Sequence, residues 1–342
     1  MAVDQLDLAV IGAYLEDHVA GFRGLRAAKK FADGQSNPTF LLTADSGQYV
    51  LRRQPPGELL QSAHAVDREY RVMSALANSD VPVPRTFHLC EDRNVIGSLF
   101  FVMEFMAGRL FWNPALPELD SARRGAMYAE MNRVLAALHN VDAEAAGLAD
   151  YGYPGNYFER QVSRWSKQYL ASETEPIAAM HELMEWLPAN APADDGQVSL
   201  IHGDYRIDNL IYAPGAPDVR AILDWELSTL GDPLADFSYL AMNWALPRTG
   251  KNAQLGGLDL DELGIPPLEV ITQRYCQATG RTSVPDMNWY FAYNLFRLVG
   301  ILQGIKKRII DGNASSKDAQ KKAAMVEPLA MAALDFARKA GA

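Results

Sequence analysis

The 342-residue chain is 49% hydrophobic and 22% charged. That apolar share can bury a sizeable core, and the charge is too low for a mainly disordered chain. A formal net charge of −10 argues against a general nucleic-acid binder, because it repels phosphate backbones.

The two cysteines, Cys90 and Cys276, make neither a disulfide framework nor a Cys-x-x-Cys metal spacing. The opening MAVDQLDLAV carries acids where a signal peptide carries bases. No run approaches the ~20 apolar residues of a membrane span. A reducing, cytoplasmic setting without a membrane partner is therefore expected.

Leu6, Val10, Ile11, Tyr14 and Leu15 recur at helical spacing and predict a helix over 6–19. A first strand is expected from about residue 28. Gly34-Gln35-Ser36-Asn37-Pro38 reads as a turn-rich loop, and strands over Thr39–Thr43 and Gln48–Arg53 follow, joined at Asp45-Ser46-Gly47. After Pro55-Pro56-Gly57 a helix is expected over Ser62–Asn78, with Val66, Tyr70, Met73 and Leu76 on one face. Strands near Thr86–Cys90 and Ser98–Phe105 flank a polar turn over Glu91–Gly97.

Beyond Ala107-Gly108 the pattern turns helical. Long helices are predicted over 121–139 and 157–186, with a surface loop at Pro188–Gln197. Strands Val198–Ile201 and Val219–Leu223 read as a brief hairpin before further helices, including Met287–Ile310. Repeating strand–helix units are missing, which argues against a doubly wound sheet.

Residues 201–210 contain His202-x-Asp204-x-x-x-x-Asn209, and Asp224 ends an apolar strand fifteen residues later. Phosphoryl transfer needs a proton acceptor for the attacking hydroxyl and hard oxygen ligands for the metal on the nucleotide. Asp204 suits the first task; Asn209 and Asp224 suit the second.

This spacing has the form of the kinase catalytic loop. With Ile222-Leu223-Asp224-Trp225-Glu226 it resembles the aminoglycoside phosphotransferase and choline kinase group. The resemblance covers about residues 27–245. It implies an α+β fold of the two-lobed protein-kinase-like type: a small N-terminal antiparallel sheet with one long helix, then a larger, mainly helical lobe. The lobes would be 1–105, binding nucleotide, and 106–342, with the catalytic loop and substrate site.

The implied cofactors are ATP and Mg²⁺. Gly34, Ser36 and Asn37 fall at the phosphate-covering loop, and Glu69 matches the helix glutamate. Met103–Gly108 resembles the hinge, where the Glu104 carbonyl and Met106 amide would bond adenine. Arg52 replaces the strand lysine, and its fork can pair with both a phosphate and Glu69. Arg206 sits where related kinases carry a lysine facing the transferred phosphate.

Plainer readings stand beside these. An Asp or Asn in a loop is ordinarily a turn or cap residue, and Glu69 alone could be a solvated helix charge. His202 is read as holding the loop, His139 as a packed helix-end residue and His64 as a helix N-terminal one. Asp232 is read as a helix cap and Asp236 as a brace for the loop.

The implied acceptor is a small-molecule alcohol. Tyr49–Gly57 and Ala63–Tyr70 resemble kinase-like domains fused to or encoded beside acyl-CoA dehydrogenases, which implies a hydroxyacyl-CoA or hydroxy acid. No dehydrogenase part is expected within the residues given. Lys306-Lys307-Arg308 and Arg297 could form a basic side for such a substrate. An amino-alcohol kinase, a non-catalytic nucleotide-binding pseudokinase and a metal hydrolase using His202, Asp204 and Asp224 are the alternatives.

Overall fold

A computed structural model describes residues 6–31, 37–55, 65–153, 155–246, 254–312 and 319–341. Helix α1 (Leu8–His18) begins where the Asp7 carboxylate accepts the Ala9 and Val10 amides at 3.0 and 3.1 Å. Strands β1 (Leu25–Lys30), β2 (Thr39–Ala44) and β3 (Gly47–Arg53) precede helix α2 (Val66–Leu76). Then come β4 (Thr86–Cys90), the helical turn α3 (Arg93–Ile96) and β5 (Phe100–Glu104).

The chain continues through α4 (Ser121–His139), α5 (Tyr157–Ser172) and α6 (Ala178–Ala189). Four short strands follow: β6 (Ser199–Ile201), β7 (Leu210–Tyr212), β8 (Val219–Ile222) and β9 (Thr229–Gly231). The last helices are α7 (Leu234–Ala245), α8 (Leu260–Leu263), α9 (Leu268–Thr279), α10 (Asn288–Ile310), α11 (Ala319–Ala323) and α12 (Val326–Ala340).

Two compact units emerge. The first comprises residues 1–112, 142–149 and 207–228. Its sheet is antiparallel, in the order β1-β2-β3-β5-β4. Alternation along β2 buries Phe40, Leu42 and Ala44. They join Ile11 and Leu15 of α1 and Leu51, Phe100 and Val102 in one core. The buried stripe of α2 runs Val66, Glu69, Val72, Met73, Leu76. A carboxylate at a core position of an apolar stripe needs a charged partner.

The second unit comprises residues 113–141, 150–206 and 229–342. Its central helix α10 is buried continuously from Trp289 to Arg297 and packs against α5, α7 and α12. Among the described residues no helix is long and apolar enough to cross a membrane.

Three sequence expectations need correction. The long helix over 157–186 is two helices. Pro176 lacks an amide hydrogen and pushes Glu175 away from helical dihedrals, so α5 ends at Ser172. The polar turn at Glu91–Gly97 contains α3, capped by the Asp92 carboxylate on the Asn94 amide at 2.9 Å and closed by Gly97 at φ 81°. The expected single hairpin is two separate pairings, β7 with β8 and β6 with β9. Strands of three residues are too short to show a period, so β7 and β9 gave no signal.

Candidate active site

In the first unit, an ion-pair chain is built around Arg52 on β3. Its Nε lies 2.9 Å from Glu69 Oε2, and its NH2 donates to Asp224 Oδ1 at 2.6 Å. Glu226 Oε2 is 4.0 Å from the same nitrogen. Asn37 is buried and donates through Nδ2 to Glu69 Oε1 at 2.9 Å. Of the residues assigned to the phosphate-covering loop, Gly34 and Ser36 lie outside the described residues, while Asn37 braces Glu69.

Burial works against the Arg52 charge, but the Glu69, Asp224 and Glu226 carboxylates outweigh it and hold its pKa above the ordinary arginine value. Burial likewise pushes the Glu69 carboxyl upward, against the pull of Arg52. The guanidinium remains the fixed charge of the pair.

The β7–β8 hairpin positions the two candidate metal ligands. Leu210 pairs with Ile222, so Asn209 and Leu223 face each other at its open end. The Leu223 amide donates to the Asn209 carbonyl at 2.8 Å. Asp224 follows directly, in a left-handed conformation at φ 66°. Aspartate enters that region more readily than most residues, and a residue held there is a recurrent mark of a functional site.

Glu104 ends β5 with an exposed side chain, and its amide donates to the Arg85 carbonyl at 2.8 Å. Met106 follows outside any strand. The chain then docks on the hairpin, since Arg109 and Tyr212 exchange backbone hydrogen bonds of 2.8 and 2.9 Å. Gly108 permits this approach. A Cβ there would lie 2.3 Å from Ile211 Cγ2 and 2.5 Å from the Tyr212 carbonyl oxygen.

In the second unit, the candidate catalytic loop hangs from Asp236 of α7. Its carboxylate accepts the His202 amide at 2.6 Å and the Gly203 amide at 2.7 Å. His139 Nε2 lies 3.5 Å from Asp236 Oδ2, and its Nδ1 bonds the Tyr275 hydroxyl at 2.7 Å. Burial alone would raise the Asp236 pKa. Hydrogen bonding and charge from His139 and His202 reverse that and hold the carboxyl below its ordinary value.

His202 is fully buried, and its Nδ1 accepts the Asp204 amide at 3.1 Å. Asp204 and Arg206 are more open, with Arg206 Nε 3.6 Å from Asp204 Oδ1. The loop-holding readings of His202 and Asp236 match their bonding, and His139 is buried at the end of α4 as the packed helix-end reading has it. Asp232 accepts the Leu234 amide at 2.8 Å, as a cap does.

Sequence reasoning missed Tyr239, one turn beyond Asp236 near the start of α7. It is hydrogen-bonded to Asp204, and its pKa is pushed up to about 12 by burial and then by the Asp204 charge. Arg297 was weighed together with Lys306-Lys307-Arg308 as a basic side, beside the plainer reading of a solvated helix end. It stands apart from those neighbours: it is buried, not solvated, and its NH2 donates to the Gly203 carbonyl. Lys306 pairs with Glu175, and Lys307 with Asp311. The sign that separates Arg297 from these neighbours is its place within Leu295-Phe296-Arg297-Leu298-Val299, an apolar run.

The model of the phosphotransferase enzyme family matches residues 27–270. Acyl-CoA dehydrogenase family member 10 of Mus musculus is 44% identical over 333 residues, 96% of this chain and 31% of that protein. Acyl-CoA dehydrogenase family member 11 of Homo sapiens is 40% identical over 340 residues, 98% of this chain and 44% of that protein. The chain thus spans less than half the length of these curated relatives.

Among solved structures, a Ralstonia eutropha protein assigned by name to the aminoglycoside phosphotransferases superposes with a TM-score of 0.88 at 48% identity. That match covers 98% of this chain and 99% of the other. A spectinomycin phosphotransferase in complex with ADP and spectinomycin gives 0.65 at 12% identity, covering 98% and 99%, a likeness of fold alone. The fold is protein-kinase-like, and the extent of the family match, with close identity along nearly the whole sequence, means that the chain belongs to the phosphotransferase enzyme family.

Proposed function

We propose that the protein transfers the γ-phosphoryl group of ATP to a hydroxyl of a small molecule, and that the acceptor is a hydroxyacyl-CoA or hydroxy acid. The observation that carries the phosphotransfer is the Arg52–Glu69–Asp224 chain, which ends on the carboxylate next to the Asn209–Leu223 hydrogen bond. The acyl class draws support from relatives named as acyl-CoA dehydrogenase family members.

Asn209 and Asp224 are hard oxygen donors held at one hairpin end, a donor set that fits Mg²⁺. When bound with the nucleotide, the ion neutralises phosphate charge during transfer. Arg52, fixed by Glu69 and Asn37, donates to the nucleotide phosphates. The family resemblance assigns Gly34 and Ser36 to the same phosphates. The Glu104 carbonyl and Met106 amide hold the adenine. Asp204 orients the acceptor hydroxyl and takes its proton, and Arg206 stabilises charge on the group in flight. His202 is buried and its Nδ1 accepts the Asp204 amide, which speaks against a hydrolase that uses this histidine as a ligand.

The test is ADP release from MgATP with hydroxyacyl-CoAs, hydroxy acids, amino sugars and choline as acceptors. The expected result is acceptor-dependent ADP with the acyl compounds, lowered about 10²–10⁴-fold by Asp204→Ala, the range for loss of a general base. ADP formation that ignores both the acceptor and the Asp204 substitution sinks the proposal.

A further inference from the structure

Arg297 is only 6% exposed, yet among the described residues it forms no ion pair within 4.0 Å with a carboxylate. Its one hydrogen bond among them runs from NH2 to the Gly203 carbonyl. The rest of its surroundings is aromatic: the guanidinium carbon lies 5.8 Å from the Trp165 ring centre and 5.6 Å from that of Tyr239. A guanidinium has five N–H donors in a planar fork, and a buried cation is costly unless its charge and donors are matched.

Bracing one carbonyl needs one donor. The fork therefore has donors to spare beyond that bond, on a side chain that keeps 6% of its surface exposed. Asp204 is the next residue after the carbonyl that Arg297 holds, and its charge acts on Arg297. Tyr239 touches both, bonded to Asp204 and stacked under Arg297. A carboxylate and an under-used guanidinium therefore flank one short stretch of loop.

We propose that Arg297 is a specificity-determining residue that binds an acyl oxygen of the acceptor, while Asp204 receives the acceptor's hydroxyl. This deepens the phosphotransfer reading and rests on it. One molecule with an alcohol and a carboxylate or thioester carbonyl a few atoms apart satisfies both groups. A cationic amino alcohol meets like charge at Arg297 and is disfavoured. Trp165 and Tyr239 hold the guanidinium plane by cation–π contact and leave its edge for the oxygen.

The experiment compares wild-type protein, Arg297→Met and Arg297→Lys with MgATP and three acceptors: a hydroxy acid, its CoA thioester, and a diol of equal carbon number without the acyl group. In Arg297→Met the KM for the acyl acceptors should rise about 10–100-fold, the worth of a hydrogen bond to a charged group. Loss of the Gly203 brace lowers turnover on every acceptor, so the diol sets the baseline against which the acyl acceptors are read, and Arg297→Lys should fall between, because it keeps charge and loses the fork. A larger loss for the free acid than for the thioester identifies the carboxylate as partner; equal losses identify the carbonyl common to both.

Equal losses on diol and acyl acceptors, or a fall in kcat with every KM unchanged, overturn the assignment and leave Arg297 as a brace. If Arg297→Met does not fold, Arg297→Lys carries the same comparison, with about fivefold selectivity against the acyl acceptors as the smallest supporting result. Wild-type protein that phosphorylates none of the three overturns the functional reading itself, an outcome visible before any variant is made.

Discussion

Arg52 falls where the sequence resemblance expects the strand lysine of related kinases, and a lysine could not make the same contacts. The fork puts Nε on Glu69 and NH2 on Asp224 from one rigid plane. Arg52→Met would leave the buried Glu69 carboxylate without its cation, which costs about 3–5 kcal/mol when a buried pair is broken. Burial already raises the Glu69 pKa, and removing Arg52 raises it further. A carboxyl with a raised folded-state pKa is most stabilising below its unfolded value, near 4.3, and loses that contribution as the pH rises through the folded value. Urea denaturation should therefore show the variant weakened more at pH 8 than at pH 5, with Arg52→Lys recovering part of the loss. Equal stability of Arg52→Met and wild type at both pH values contradicts the pairing.

Much of this site was legible in the residues alone. His202, Asp204 and Asn209 sit at a spacing that a tight loop imposes, and Glu69 falls in register with Val66, Val72 and Leu76 on a buried stripe. The contact of Arg297 with the Gly203 carbonyl was not legible, since a helical pattern says which residues are buried but not which backbone carbonyl a buried cation will meet. Tyr239 gave no signal because aromatic residues in an apolar helix are ordinarily core.

At the scale of elements, helix boundaries fixed by local chemistry came through and pairings did not. Helix α4 runs over the expected 121–139, started by the Asp120 carboxylate on the Arg123 amide at 2.9 Å. The partners of β6 and β8 depend on contacts between residues far apart in sequence, and their patterns are three and four residues long. The β7–β8 hairpin has consequences for the segment after β5 as well, since Gly108 lets that segment lie against Ile211 and Tyr212. Gly108→Ala forces overpacking that costs about 1–3 kcal/mol and shifts the residues that follow Glu104 and Met106. Isothermal titration with MgATP should show affinity reduced about tenfold, within the reach of such a displacement. An unchanged nucleotide Kd would separate the hinge segment from the hairpin.

At the scale of the whole chain, family membership and fold rest on nearly full-length similarity, while chemistry rests on a few oxygen-bearing side chains. The acidic balance of −10 describes the whole chain and not one site, so it does not by itself argue against nucleotide binding. The most direct test of the phosphotransfer claim follows a hydroxyacyl acceptor through a single turnover with MgATP and identifies every phosphorylated product by mass and phosphorus NMR. The expected result is one phosphoryl group on the acceptor hydroxyl for each ADP formed, abolished by Asp204→Asn while MgATP still binds within about threefold of wild type. Inorganic phosphate with unmodified acceptor, or tight nucleotide binding with no ADP at all, would contradict it.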